Sequence, residues 1–123
     1  MKVVLVAEDE ANLRDIITQI FEGFDIPIVT VHNGKEAVEF VEAGNEISIV
    51  LLDKNMPIMS GIAAYHRIRE LKPEITILFV TGLNDFEDNE AISKDMRSLV
   101  IQKPFNYFEL VDIVKRIIGN QER

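Results

Sequence analysis

Five side chains in this sequence have the types and positions to handle phosphorus. Glu8 and Asp9 follow the apolar run Val3–Ala7, and Asp53 follows Ile47–Leu52. Thr81 follows Ile75–Val80, and Lys103 follows Leu99–Ile101 after Gln102. Three carboxylates, a hydroxyl and an ammonium suit a divalent cation together with a phosphoryl group. Asp53 leads this set. It ends the most hydrophobic run, so a rigid backbone presents its carboxylate, which can attack phosphorus and form an aspartyl phosphate. Two repulsions oppose that step, one from an anionic donor and one from Glu8 and Asp9. Like charges about 5 Å apart repel by roughly 3 kcal/mol at an effective dielectric of ~20. Magnesium answers both, because it takes a few carboxylates, phosphate oxygen and water in an octahedron. Lys103 is expected to pair with Asp53 at rest and with a phosphoryl oxygen afterwards, while Thr81 donates its hydroxyl to another.

These residues share a site only if their runs are neighbouring parallel strands, since open α/β sheets bind ligands at the carboxyl ends of their strands. The pattern predicts that arrangement. Val3–Ala7, Ile26–Val31, Ile47–Leu52, Ile75–Val80 and Ser98–Gln102 read as strands, with Pro27 near the start of the second. Between them, Leu13, Ile16, Ile17, Ile20, Phe21 and Phe24 recur at helical spacing up to Gly23. Asn33 with Glu36 forms a capping box before Ala37, Val38 and Val41, and Gly44-Asn45 closes that helix. Ser60 caps a helix carrying Ile62, Ala63, Tyr65, Ile68 and Leu71, which Pro73 separates from the next strand. Asn84–Met96 is a weak, acidic helical stretch with few apolar residues. Asn106 with Glu109 caps a last helix, whose Leu110, Val111, Val114, Ile117 and Ile118 face inward until Gly119 ends it. Five βα units predict a five-stranded parallel sheet in the order 2-1-3-4-5, flanked by five helices in a flavodoxin-like, doubly wound fold.

The bulk properties agree with one globular domain over 1–123. Hydrophobic residues make up 47% and charged residues 28% of the chain. Cysteine is absent, which excludes disulfides, thiolate metal sites and cysteine nucleophiles together. Thirteen basic residues against 21 acidic ones leave a formal charge of −8, which disfavours nucleic acid and anionic membrane as partners. No segment reaches the roughly 18 apolar residues of a membrane span. Glu8-Asp9-Glu10 cuts the first apolar run well short of the about 7–15 residues of a signal-peptide core. A cytoplasmic location is expected. No Gly-rich phosphate loop follows the first strand, which argues against nucleotide binding. His32 and His66 lie far apart with no partner at metal-ligand spacing, so structural or surface roles are expected for both.

Singly, each candidate has a plainer reading: acidic residues after a strand cap the next helix, and an aspartate opens a turn. Their conjunction at four strand ends favours chemistry. The motifs Glu8-Asp9, Asp53 to Gly61 with Met56-Pro57, Thr81-Gly82 and Lys103-Pro104-Phe105 resemble a response-regulator receiver domain of two-component signalling, and Leu78–Gly82 with Ile101–Phe105 is similar to receivers of hybrid sensor kinases. The resemblance implies that Asp53 accepts phosphate from the phosphohistidine of a histidine kinase or histidine phosphotransfer protein. It implies that Asp9, Asp53 and the Asn55 carbonyl bind Mg²⁺ directly, that Glu8 acts through water, and that Thr81 and Lys103 bind the phosphoryl group. It also implies a switch that catalyses only its own phosphorylation and dephosphorylation.

The chain departs from the family at Val100, where many receivers carry an aromatic ring that turns inward on activation; an aromatic rotamer switch is not expected there. Leu83, two residues after Thr81, is expected to restrict the water that hydrolyses the phosphoryl group. Tyr107, Phe108, Met56 and Met59 read as packing residues. Two other readings stay open. One is a docking receiver that needs no phosphate. The other is a Mg²⁺-dependent phosphatase, disfavoured because Asn55 stands where such an enzyme needs a general acid.

Overall fold

Five short apolar runs, three of them buried on both faces, account for the sheet. The computed structural model describes residues 2–53, 56–81, 95, 97–102 and 106–121, with Thr81 and Gln102 described through their backbone. The strands are β1 (Val3–Ala7), β2 (Ile28–Val31), β3 (Ile47–Asp53), β4 (Thr76–Thr81) and β5 (Ser98–Gln102). All neighbours pair in parallel, in the order β2-β1-β3-β4-β5. The helices among the described residues are α1 (Ala11–Gly23), α2 (Gly34–Glu42), α3 (Gly61–Leu71) and α4 (Tyr107–Gln121). The helix expected over 84–96 lies almost wholly outside the described residues, as does Leu83.

Side chains alternate across the sheet with period two. Leu5, Ala7, Val50, Leu52, Ile77 and Phe79 pack with Ala37, Val38 and Val41 of α2 and with Ala64, Tyr65 and Ile68 of α3. Val4, Val6, Ile49, Leu51 and Leu78 pack on the opposite face with Ile17 and Phe21 of α1 and with Leu110, Val111 and Val114 of α4. Met56 and Met59 pack against the first of these layers, as expected of loop packing. The sheet thus carries two separate cores, each made of i, i+3 and i+4 helix positions.

Helix caps follow the sequence closely. Asn33 Oδ1 accepts the Glu36 N–H at 2.9 Å, and Ser60 Oγ accepts the Ala63 N–H at 3.2 Å. The return bond of the box is displaced by one residue, because Glu36 Oε1 accepts the His32 N–H at 2.6 Å. Asn106 Oδ1 accepts the Phe108 N–H at 2.7 Å and starts α4.

Some boundaries differ from expectation. β2 begins at Ile28, because Pro27 has no N–H to give and offers only its carbonyl, which the Val4 N–H reaches at 2.8 Å. α4 runs through Gly119 to Gln121, whose side-chain amide donates to the Ser48 carbonyl at 2.8 Å and holds the last turn onto β3. Phe108 is 59% exposed instead of belonging to the core, and sits edge-on to Phe24 at 6.1 Å. It occupies the outward side of α4, while Leu110, Val111 and Val114 turn inward.

One polar network ties α3 to the far end of the sheet. Asp95 Oδ2 accepts the Tyr65 hydroxyl at 2.6 Å, Arg69 Nε at 2.9 Å and the Ser98 hydroxyl at 2.9 Å, while Oδ1 accepts the Arg97 N–H at 2.9 Å. Arg69 Nη1 continues to the Ile75 carbonyl at 2.6 Å. Burial alone would raise the Asp95 pKa, but the bonds from Tyr65, Arg97 and Ser98 and the Arg69 charge outweigh it and hold the carboxyl down at about 2. The Asp95 side chain is only 14% exposed. A depressed carboxyl stabilises the fold above its unfolded pKa and loses that contribution as pH falls through the folded one. Asp95→Asn should therefore lower the urea-measured unfolding free energy by about 2 kcal/mol at pH 7. The gap to the parent should close between pH about 4 and about 2.

Gly34 lets α2 approach the loop after β3. A Cβ there would meet the Met59 carbonyl at 2.6 Å and the Ser60 carbonyl at 3.0 Å. Both are backbone atoms that move only with the loop. Gly34→Ala should destabilise by about 1–3 kcal/mol, exceeding the ~1 kcal/mol that alanine gains as a helix former. Denaturant melts of the two proteins check this.

Candidate functional site

The carboxyl ends of β1 and β3 lie side by side because Ala7 is registered with Leu52. The next residue on each strand is acidic. Glu8 is 6% exposed, and its N–H extends the ladder to the Val31 carbonyl at 3.1 Å. Its side chain turns toward α1, where Oε2 accepts the Glu10 N–H at 3.1 Å. This bond satisfies the N–H of Glu10, the N-cap residue of α1, whose own side chain makes no capping bond. Asp9 follows, exposed at the rim. Asp53 is the last residue of β3, partly buried and registered with Val80 on β4.

Glu8, Asp9 and Asp53 each bring a carboxylate oxygen to within 4.8 Å of the others. At that separation each pair of negative charges repels by roughly 3 kcal/mol at an effective dielectric of ~20. Beneath them lies a cavity of ≈ 320 Å³ between α1 and α4, with Glu8, Asp53, Leu13, Ile17, Val80 and Tyr107 among its walls. Mostly apolar walls lower the local dielectric and sharpen the need for a compensating cation. An all-oxygen, carboxylate-rich donor set is the chemistry of Mg²⁺ or Ca²⁺ and not of softer metals. Oxygens brought within this separation are close enough to share one dication.

Thr81 ends β4, one residue beyond the partner of Asp53, and pairs with Gln102 at the end of β5. Its main chain therefore reaches the same edge of the sheet. Asn55 and Lys103 lie outside the described residues. Val100 is a partly exposed aliphatic residue on β5. His32 and His66 are both exposed; His32 Nδ1 lies 3.2 Å from Glu36 Oε1, and His66 stacks edge-on against Tyr65.

Two features escaped the sequence pattern. Arg14 of α1 donates from Nη1 to the Glu8 carbonyl at 2.8 Å. Ile58 sits at φ 68° in a three-residue turn closed by the Met59 N–H on the Pro57 carbonyl at 2.7 Å, with 78% of the residue exposed. A β-branched residue at positive φ is strained. Asn or Gly would have marked that turn.

The comparisons agree with this geometry. The family model for the response regulator receiver domain matches residues 4–115. The response regulator receiver protein CpdR of Brucella abortus is 29% identical over 118 residues, covering 96% of this chain and 98% of that protein. The autoinducer 1 sensor kinase/phosphatase LuxN of Vibrio campbellii is 27% identical over 95% of this chain, which spans 13% of that protein. The crystal structure of the response regulator protein TrrA of Thermotoga maritima, in complex with Mg²⁺-BeF, superposes with a TM-score of 0.82 at 30% identity, covering 95% of this chain and 99% of that one. With the acid triad standing at the ends of β1 and β3 and the family match spanning nearly every element of the sheet, this chain belongs to the response-regulator receiver family of two-component systems.

Proposed function

We propose that Asp53 is the phosphoacceptor and that the chain works as a phosphorylation-dependent switch. One observation carries the reading: Glu8, Asp9 and Asp53 converge within 4.8 Å at adjoining strand ends. Such mutual repulsion is tolerated where a dication is to be held. Asp9, Asp53 and the Asn55 carbonyl would hold Mg²⁺, with Glu8 acting on it through water. When bound, Mg²⁺ offsets the carboxylate charge and that of the incoming phosphoryl oxygens. An Asp53 oxygen attacks phosphorus, the phosphorus–nitrogen bond of a phosphohistidine breaks, and the freed imidazole nitrogen takes a proton from solvent. Thr81 donates its hydroxyl to one phosphoryl oxygen, and the Lys103 ammonium binds another.

The donor is a histidine kinase or a histidine phosphotransfer protein. LuxN, a sensor kinase, contains a segment similar to 95% of this chain, and this supports such a partner. The chain catalyses its own phosphorylation and dephosphorylation and turns over no external substrate. It acts in the cytoplasm, as a single domain over 1–123. Incubation with Mg²⁺ and acetyl phosphate should add the mass of one phosphoryl group, mapped to Asp53 by peptide analysis. Asp53→Asn, or EDTA with the parent chain, should abolish the adduct. An adduct on another residue, or steady release of phosphate from phosphoesters, would overturn this assignment.

A further inference from the structure

We infer that Arg14 is a positioning residue for the cation site, fixing the turn that aims Glu8 and Asp9; this deepens the reading just given and rests on it. Asp9 stands between two residues that α1 holds by their main chains. On one side, Arg14 Nη1 binds the Glu8 carbonyl at 2.8 Å. On the other, the Arg14 N–H binds the Glu10 carbonyl at 3.0 Å. The Glu8 side chain closes the loop by accepting the Glu10 N–H at 3.1 Å. One residue of the helix therefore fastens both flanks of the turn. The peptide joining Glu8 to Asp9 cannot rotate without breaking the bond to Arg14, and its orientation decides where the Asp9 carboxylate goes.

The guanidinium is bonded to a carbonyl, a neutral group, so its contribution is geometric. Its positive charge acts in the opposite sense, disfavouring a second cation nearby. Arg14 is only partly buried. Solvent and salt screen that repulsion. Groups that hold a metal ligand in place typically change affinity by about 10–100-fold when removed. Geometry outweighs charge here, and loss of Arg14 weakens the cation site.

The test titrates the parent, Arg14→Met and Arg14→Lys with Mg²⁺ by calorimetry, and melts all three in EDTA. It then follows acetyl phosphate labelling at saturating Mg²⁺. Methionine keeps the aliphatic stem and helix preference but has no donor, whereas lysine keeps a donating group, its ammonium, at the end of a similar stem. Arg14→Met should bind Mg²⁺ about tenfold more weakly. It should melt in EDTA as the parent does, and at saturating Mg²⁺ it should be labelled nearly as fast. Arg14→Lys should return to within about threefold of the parent affinity. Affinity in Arg14→Met equal to or tighter than the parent overturns the inference. So does a loss that lysine fails to recover, or one matched by a lower melting temperature in EDTA, which marks general structural damage. If the parent itself binds no Mg²⁺ and takes no phosphoryl group, the proposed function fails first, and this inference fails with it.

Discussion

Like charges do not gather unless something rigid compels them, and here the compelling element is the hydrogen-bonded pair of β1 and β3. Val4, Leu5 and Val6 lie beside Ile49, Val50 and Leu51, all buried, with helices packed over both faces. Burying each such side chain contributes roughly 1.5–3 kcal/mol. Several together exceed the few kcal/mol by which the terminal carboxylates repel. The core therefore holds an electrostatically unfavourable rim in place, a rim whose charge a dication would relieve. Stability and chemistry are coupled at this single seam.

The outer elements refine what the seam provides. α1 supplies the bonds that set the direction of the Glu8-Asp9 turn, and Gly34 allows α2 to brace the loop leaving Asp53. α3 is fixed at its other end by Arg69 and Tyr65 on Asp95, far from the acid cluster along the strands. Each brace uses backbone carbonyls or a fully satisfied carboxylate. Such bonds stabilise modestly when made and cost more when a buried partner is left alone.

Much of this was legible from the sequence, and the reasons differ by element. β1 and β3 were readable because a strand covered on both faces is apolar at every position, not at alternate ones. The starts of α2 and α3 were readable because Asn33 and Ser60 bond to amides three residues away, a local relation. Glu8, Asp9 and Asp53 followed once the parallel order was assumed. The Asp95 network was not readable, since its partners Tyr65 and Arg69 are 30 and 26 residues distant and only the fold brings them close. Gly119 looked like a terminus, yet the bond from Gln121 to Ser48, 73 residues away, carries the helix past it. Phe108 looked like core because an aromatic ring is most often buried, and nothing local revealed which way the first turn of α4 would face.

The pairing of Ala7 with Leu52 has a further effect. Because successive residues of a strand face opposite sides, a slip of β1 by one position along β3 would send Leu5 and Ala7 into the layer that now holds Val4 and Val6. The same slip would carry Glu8 and Asp9 about 3.3 Å along the strand axis, out of step with Asp53. A misregistered chain would thus be poorly packed and chemically inert at once. For a slip of this size, correct threading of β1 and alignment of its acidic end with Asp53 are lost together.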